Sequence, residues 1–153
     1  MNNIIEDYYF ESVKGLTENV LQVQSDWYKH IFNLSPKQQI VYTIIVFHNQ
    51  VQNGGLHQYF FNSYSQFCFL TINNLKKIGA LERASILESA LSEVNKDKFD
   101  ENYFKELIFN RKISRITEFE QYLTNFLDDL DTKYYEIENE DIEKLLTHFL
   151  KNN

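Results

Sequence analysis

The apolar residues of this 153-residue chain recur at the three- and four-residue spacing of a helix, not at the alternating spacing of a strand. Two stripes show the pattern: Leu81, Ala84, Leu87, Ala90, Leu91 and Val94, then Phe119, Tyr122, Leu123, Phe126, Leu127, Leu130 and Tyr134. Only four glycines and one proline interrupt the chain. The sequence therefore predicts an all-α bundle of about six to eight helices, in which each stripe faces a core.

Capping signals locate some of the helix ends. Ser35 before Pro36 predicts a helix start with proline at the first position, and Thr117 with Glu120 predicts a capping box. The expected helical segments are residues 3–33, 36–52, 56–62, 67–78, 80–94, 118–135 and 141–150, with a turn-rich segment over 97–112. No linker, repeat or low-complexity tract divides the chain, so we expect one helical domain over residues 1–153.

Composition narrows the class of protein. Apolar residues make up 43% of the chain, yet no run approaches the ~20 apolar residues of a membrane helix. The start of the chain, MNNIIEDYYFE, lacks the basic and apolar regions of a signal peptide. The single Cys68 allows no internal disulfide and no cysteine metal cluster. We expect a cytoplasmic protein that does not associate with membranes.

Catalytic and metal-binding patterns are missing from the sequence. The spacing of a zinc motif is absent among the four histidines, which are His30, His48, His57 and His148. The sequence also contains no phosphate-binding loop, nucleophile elbow or calcium loop. We therefore predict no catalytic residue, no metal site and no cofactor. The one basic cluster, Arg111, Lys112 and Arg115, carries too little charge for direct nucleic-acid binding.

Two adjacent glycines stand out in FHNQVQNGGLHQYFFNS, residues 47–63. The preceding helix is expected to stop after Gln52 or Asn53, with Gly54 in the left-handed conformation and Gly55 allowing a close reversal. We expect four amide side chains around the glycines to hydrogen-bond the backbone groups that the helix end leaves free: Asn49, Gln52, Asn53 and Gln58. The aromatic residues that follow are expected to re-enter the core: Tyr59, Phe60 and Phe61. The alternative is a polar pocket, with His57 as a base.

The same residues resemble a bacterial all-helical domain family whose best-known member is an acidic DNA-mimic protein that binds a transcription factor. QVQNGGLHQYFFNS and LKKIGALERASILESAL match the family pattern at Val51, Asn53, Gly54, Gly55, Gln58, Tyr59, Phe60, Asn62, Ile78, Gly79 and Ala80. Gln50, Gln52 and Leu56 stand where the pattern has Glu, Asn and Phe. The match is strongest over about residues 40–94, and it implies an all-helical, DNA-mimicking binding protein.

Charge is concentrated in residues 118–143, called the acidic segment below. It has a net charge of −9, since ten acids face the single base Lys133: Glu118, Glu120, Asp128, Asp129, Asp131, Glu136, Glu138, Glu140, Asp141 and Glu143. The rest of the chain has twelve acids and fourteen bases. Such carboxylates can take the place of duplex phosphates in contacts with the Lys and Arg side chains of a basic protein. The alternative is a solvated face, on the C-terminal helices of about residues 118–150, that keeps the protein soluble.

Three functions stay open at this point. The first is a non-enzymatic protein-binding domain whose ten acids engage a basic partner, which the resemblance identifies as a DNA-binding regulator. The second is an immunity or antitoxin-like protein that neutralises a toxin. The third is a small-ligand binder or enzyme that uses the residues around the double glycine. The sequence does not fix the oligomeric state, and a homodimer is among the alternatives.

Overall fold

The computed structural model describes residues 3–153, and this part of the chain is helical, with no strand. Its helices are α1 (Asn3–Val13), α2 (Glu18–Leu21), α3 (Gln24–Phe32), α4 (Pro36–Phe61), α5 (Cys68–Lys77), α6 (Leu81–Val94), α7 (Glu101–Phe109), α8 (Ser114–Thr117), α9 (Gln121–Tyr135) and α10 (Ile142–Asn152), with a 3₁₀ turn, Ser63–Phe67, before α5. Within these residues, eight helices have nine or more residues, which confirms the all-α prediction. None of the helices described is long and apolar enough to cross a membrane.

Helix α4 is the centre of the fold. It begins as predicted, because the Gln38 N–H donates to Ser35 Oγ (3.2 Å) and the Ser35 N–H donates to Gln38 Oε1 (3.0 Å). Helices α1, α5 and α9 and the 3₁₀ turn all pack on α4. Its side chains are therefore buried on several faces, among them Ile40, Val41, Ile44, Ile45, Phe47 and Val51.

A smaller apolar cluster fills the space beside the N-terminal half of α4. Trp27 and Ile31 of α3 pack there on Tyr42 of α4 and Phe67 of the 3₁₀ turn. The Trp27 indole N–H donates to the Tyr42 hydroxyl (3.2 Å), so the polar atoms of both buried rings have a partner. Cys68 is fully buried in the main core.

The predicted capping box at Thr117 is wrong. Helix α8 ends at Thr117, and the chain turns at Phe119, whose φ of 53° lies in the left-handed region. The Glu120 N–H donates back to the Arg115 carbonyl (3.0 Å), a helix-ending bond that closes α8 before α9 starts. The Glu120 carboxylate accepts from Arg115 Nε (2.9 Å), and Glu120 is the N-cap residue of α9 and not the third residue of a helix capped by Thr117.

The segment predicted as turn-rich, residues 97–112, contains α7. Its start is capped by Asp100, whose Oδ1 accepts from the Tyr103 N–H (2.9 Å). Phe104 and Ile108, four residues apart, are buried against the core. This helix has only two buried positions, so its apolar stripe is short and easily missed in the sequence.

Candidate functional site: the double-glycine corner and an acidic cleft

Residues 53–62, the double-glycine corner, form a kink inside α4 where a helix end was predicted. The left-handed residue is Gly55, with φ 78° and ψ −177°, and the prediction that it would be Gly54 is wrong. Gly54 is exposed, whereas Gly55 is buried against α9. The φ and ψ of Gly55 belong to a region that only glycine occupies readily, so one residue carries the whole change of direction.

The backbone groups opened by the kink are satisfied from α9. The Leu56 N–H donates to Asp131 Oδ1 (2.8 Å), and the Tyr135 hydroxyl donates to the Val51 carbonyl (2.6 Å). A Cβ on Gly55 would overlap the Asp131 carboxylate. Burial raises the pKa of Asp131 to about 6, against the lowering effect of its bond to Leu56. Asp131 is therefore part of the corner and not a free surface acid.

The amides of the corner bond mainly to each other. Gln50 Oε1 accepts from Gln58 Nε2 (3.2 Å) and from Asn62 Nδ2 (2.7 Å), and Asn62 is also the C-cap of α4. The prediction that corner amides satisfy the backbone is thus wrong at Leu56 and Val51, where α9 does so. Gln50, where the family pattern has Glu, supplies the acceptor oxygen that this position needs.

The remaining corner residues divide into core and surface. Tyr59 and Phe60 are 1% exposed and re-enter the core as predicted, while Asn53 is exposed. His57 lies beside a shallow pocket of about 280 Å³, its ring stacked on Phe119 with centroids 4.3 Å apart. Burial lowers the pKa of His57.

The ten acids of the acidic segment have different environments. Seven are exposed: Glu118, Asp128, Asp129, Glu136, Glu138, Asp141 and Glu143. Asp131 and Glu120 are half-buried and bonded as described above. Asp141 is also the N-cap of α10, since its Oδ1 accepts from the Lys144 N–H (3.0 Å). The expectation that all ten are available to a partner is wrong for the buried member, Glu140.

Glu140 is 7% exposed and caps another helix. Its two carboxylate oxygens accept from two backbone N–H groups in the first turn of α6, those of Glu82 (2.7 Å) and Arg83 (3.0 Å). A carboxylate is favoured there because the helix N-terminus carries partial positive charge. The Arg83 side chain in turn donates from Nε to the Glu140 backbone carbonyl (3.0 Å), so hydrogen bonds in both directions connect the loop before α10 to α6.

These contacts surround a cleft of about 720 Å³ between α4, the start of α6, the end of α9 and the loop leading into α10. We call it the Tyr134 cleft, after the fully buried tyrosine in its wall; its other lining residues are Ile45, His48, Asn49, Gln52, Arg83, Tyr135, Ile137, Glu138, Glu140, Asp141, Ile142 and Glu143. The Arg83 guanidinium lies 4.4 Å from the centre of the Tyr134 ring.

His48 and Tyr134 form a polar pair inside the cleft. His48 Nδ1 lies 2.6 Å from the Tyr134 hydroxyl. Burial, assisted by the nearby Arg83 charge, lowers the pKa of His48 from 6.5 to about 4, and burial raises that of Tyr134. At neutral pH both side chains are therefore uncharged, and the histidine adds no positive charge to the cleft.

The His48 titration predicts a pH-dependent stability. The unfolded chain takes up the proton near pH 6.5 and the folded chain only near pH 4, so acidification through this window favours unfolding. Compared with His48→Gln, the native protein should lose about 2 kcal/mol of unfolding free energy between pH 7 and pH 4.5. Urea unfolding across this pH range measures the difference in unfolding free energy between the two proteins. Because Asp131 titrates in both proteins, its contribution cancels in this difference. A constant difference between the two proteins would show that His48 titrates normally.

The sequence singled out rim residues of this cleft, but it gave no role there to His48, Arg83 or Tyr134; the rim residues are Asn49, Gln52, Glu138, Glu140, Asp141 and Glu143. His48 was considered only for zinc spacing, and Tyr134 only as part of an apolar stripe. Arg83 lies four residues before Leu87 and is part of the buried stripe of α6. Leu81, which was predicted to belong to this stripe, is 61% exposed. An arginine in register with a buried stripe is the one signal that pointed to a polar site here.

Among residues 3–153, no group of three or more His, Cys, Asp or Glu side chains is arranged to hold a metal ion. No curated protein and no solved structure matches the chain significantly. The profile of one family, described as DMP19-like protein, matches residues 32–153, from the end of α3 through α10. This match includes the corner, the cleft and the acidic segment, and the chain belongs to the DMP19-like protein family.

Proposed function

We propose that this protein is a non-enzymatic binding domain whose acidic surface engages a basic protein, in the manner of a DNA mimic. The observation that carries the proposal is the exposure of seven carboxylates within the short acidic segment. They lie between α8 and α9, on α9, on the loop after it and at the start of α10. A partner with a Lys- and Arg-rich surface fits this charge.

The exposed acids on α9 and at its C-cap have a spacing suited to such a partner. Asp129 and Glu136 are seven residues apart, which is two helical turns or about 10.5 Å along the axis, close to three base-pair steps of a duplex. Within residues 3–153, Asp128, Asp129, Glu136 and Glu138 form no salt bridge. Their charges are therefore not neutralised by the protein's own bases.

Family membership supports the proposal independently of charge. The family of the resemblance includes an acidic DNA mimic that binds a transcription factor, and the profile match extends over the acidic segment of this chain. A regulator is accordingly the preferred partner. A toxin with a basic surface would use the same carboxylates, and the identity of the bound protein separates the two.

The test compares two charge-matched variants in capture from the native lysate. Asp128→Asn/Asp129→Asn/Glu136→Gln removes three exposed charges from α9 and its C-cap, and Asp26→Asn/Asp97→Asn/Glu106→Gln removes three exposed charges elsewhere. We expect one basic protein to be captured by the native chain and by the second variant, and at least about tenfold less by the first. Equal capture by both variants would overturn the acidic-surface proposal.

A further inference from the structure

Another pocket lies between the N-terminal helices and α4. It has a volume of about 240 Å³ and is lined by residues of α1, α2, the loop between them, α4 and the 3₁₀ turn. Its aliphatic wall consists of Val13, Leu16, Leu21 and Val46, each only partly buried, so each offers surface to an occupant. Because an apolar cavity of about 150 Å³ can hold a benzene molecule, this pocket has room for a substituted single ring.

Three tyrosines contribute hydroxyl groups to this pocket, which we call the tyrosine pocket: Tyr9, Tyr42 and Tyr64. Burial, and then the neighbouring Tyr64, raise the pKa of Tyr9. Burial also raises the pKa of Tyr42, against the lowering effect of its bond from Trp27, and the two neighbouring tyrosines add to the rise. The three hydroxyls are therefore close enough to interact electrostatically, and tyrosine hydroxyls are hydrogen-bond donors at neutral pH.

Several donors of the tyrosine pocket have no protein partner. In the described part of the chain, the hydroxyls of Tyr9 and Tyr64 form no hydrogen bond. Gln50 uses its side-chain oxygen to accept from Gln58 and Asn62, so its own amide N–H groups are left to donate. An acceptor oxygen in the pocket would take bonds from two of these donors, one for each lone pair.

The tyrosine pocket favours an uncharged occupant. Among the described residues, none with a charged side chain lines it. An ion would therefore lose hydration in the pocket without gaining an opposite charge. No residue of the acidic segment belongs to the lining, so the site is independent of the proposed function.

We propose that the tyrosine pocket binds an uncharged compound that carries a ketone or carboxamide oxygen on a single apolar ring. The ring packs on the aliphatic wall, and the oxygen accepts from the hydroxyls of Tyr9 and Tyr64 or from the N–H groups of Gln50. Asn49, which is exposed and also lines the pocket, has a side-chain oxygen for the N–H groups of a carboxamide.

The experiment uses Trp27, the single tryptophan of the chain, as its reporter. The Trp27 ring is edge-on to that of Tyr64, with centroids 5.5 Å apart, and its N–H donates to the Tyr42 hydroxyl (3.2 Å). The full chain is titrated with benzamide, and with benzoate, which has the same shape and a negative charge. We expect benzamide to change the Trp27 emission saturably, with a Kd of about 1 mM or lower, and benzoate to bind at least about tenfold more weakly.

Two double variants test the hydroxyls. Tyr9→Phe/Tyr64→Phe keeps both rings and removes both hydroxyls, and Tyr103→Phe/Tyr122→Phe makes the same change at two exposed tyrosines outside the pocket. The first variant should weaken benzamide binding at least about fivefold, yet change the binding of isopropylbenzene, which has no acceptor oxygen, less than about twofold. The second variant should change the binding of neither compound.

The proposal fails if benzamide does not saturate, if benzoate binds equally well, or if both double variants weaken benzamide binding equally. It also fails if Tyr9→Phe/Tyr64→Phe weakens isopropylbenzene binding as much as benzamide binding, because the hydroxyls would then contribute only to the shape of the pocket.

Discussion

Gly55→Ala is expected to destabilise the protein by about 3 kcal/mol, with a melting temperature lower by roughly 6–12 °C. Two causes add. A Cβ is strained at φ 78° and ψ −177°, and it would displace the Asp131 carboxylate that accepts from the Leu56 N–H. Thermal unfolding followed by circular dichroism measures the loss.

Gly54→Ala is the matched control. Gly54 is exposed and outside the left-handed region, and a Cβ there meets only the flexible side chain of Gln58. Its unfolding free energy should change by less than about 1 kcal/mol, because alanine favours the helix while the Gln58 bond to Gln50 is disturbed. Equal losses for the two alanine variants would contradict the kink at Gly55.

Glu140→Ala is expected to cost about 3 kcal/mol of unfolding free energy. The variant leaves the N–H groups of Glu82 and Arg83 without their acceptor and removes the negative charge from the N-terminus of α6. The Arg83 guanidinium keeps its bonds to the backbone carbonyls of Glu140 and Tyr134, so the loss falls on the N-terminus of α6. Urea unfolding gives the free energy directly.

Two further variants serve as controls for the Glu140→Ala prediction. Glu138→Ala removes the same charge from an exposed position two residues away and should change stability by no more than about 0.5 kcal/mol. Glu140→Gln keeps one acceptor oxygen and should lose roughly 1 kcal/mol. A Glu140→Ala protein as stable as Glu138→Ala would mean that Glu140 is a surface acid after all.

Local features of the sequence were enough to predict most of the helices, with α7 the exception. The Ser35 and Pro36 start of α4 and the Leu87 to Val94 stripe of α6 depend on neighbours within a few residues, so spacing and capping residues identify them. The error at the double-glycine corner arose because a distant residue decides there. Both glycines tolerate a left-handed conformation, and the contact that places it at Gly55 comes from Asp131, 75 residues from its partner Leu56.

The candidate site also depends on contacts between residues that are far apart in the sequence. Sequence counting located the negative charge of the protein correctly in the acidic segment, but it treated all ten carboxylates alike. Glu140 is buried because it caps the first turn of α6, where it accepts from the N–H of Glu82, 58 residues earlier. The cleft combines His48, Arg83 and Tyr134 from three helices, and no spacing within the chain brings these three together. Only the packing of α6 and α9 on each other and of α9 on α4 does so.

The salt dependence of partner affinity tests the acidic-surface account most directly. Carboxylates attract a basic protein over about one Debye length, ~8 Å at physiological salt, so the attraction weakens as salt is added. For the native chain and the captured partner, we predict a Kd that rises at least about tenfold between ~50 mM and ~300 mM salt, with a much smaller rise for Asp128→Asn/Asp129→Asn/Glu136→Gln. A Kd that is the same for both proteins and independent of salt would contradict the account.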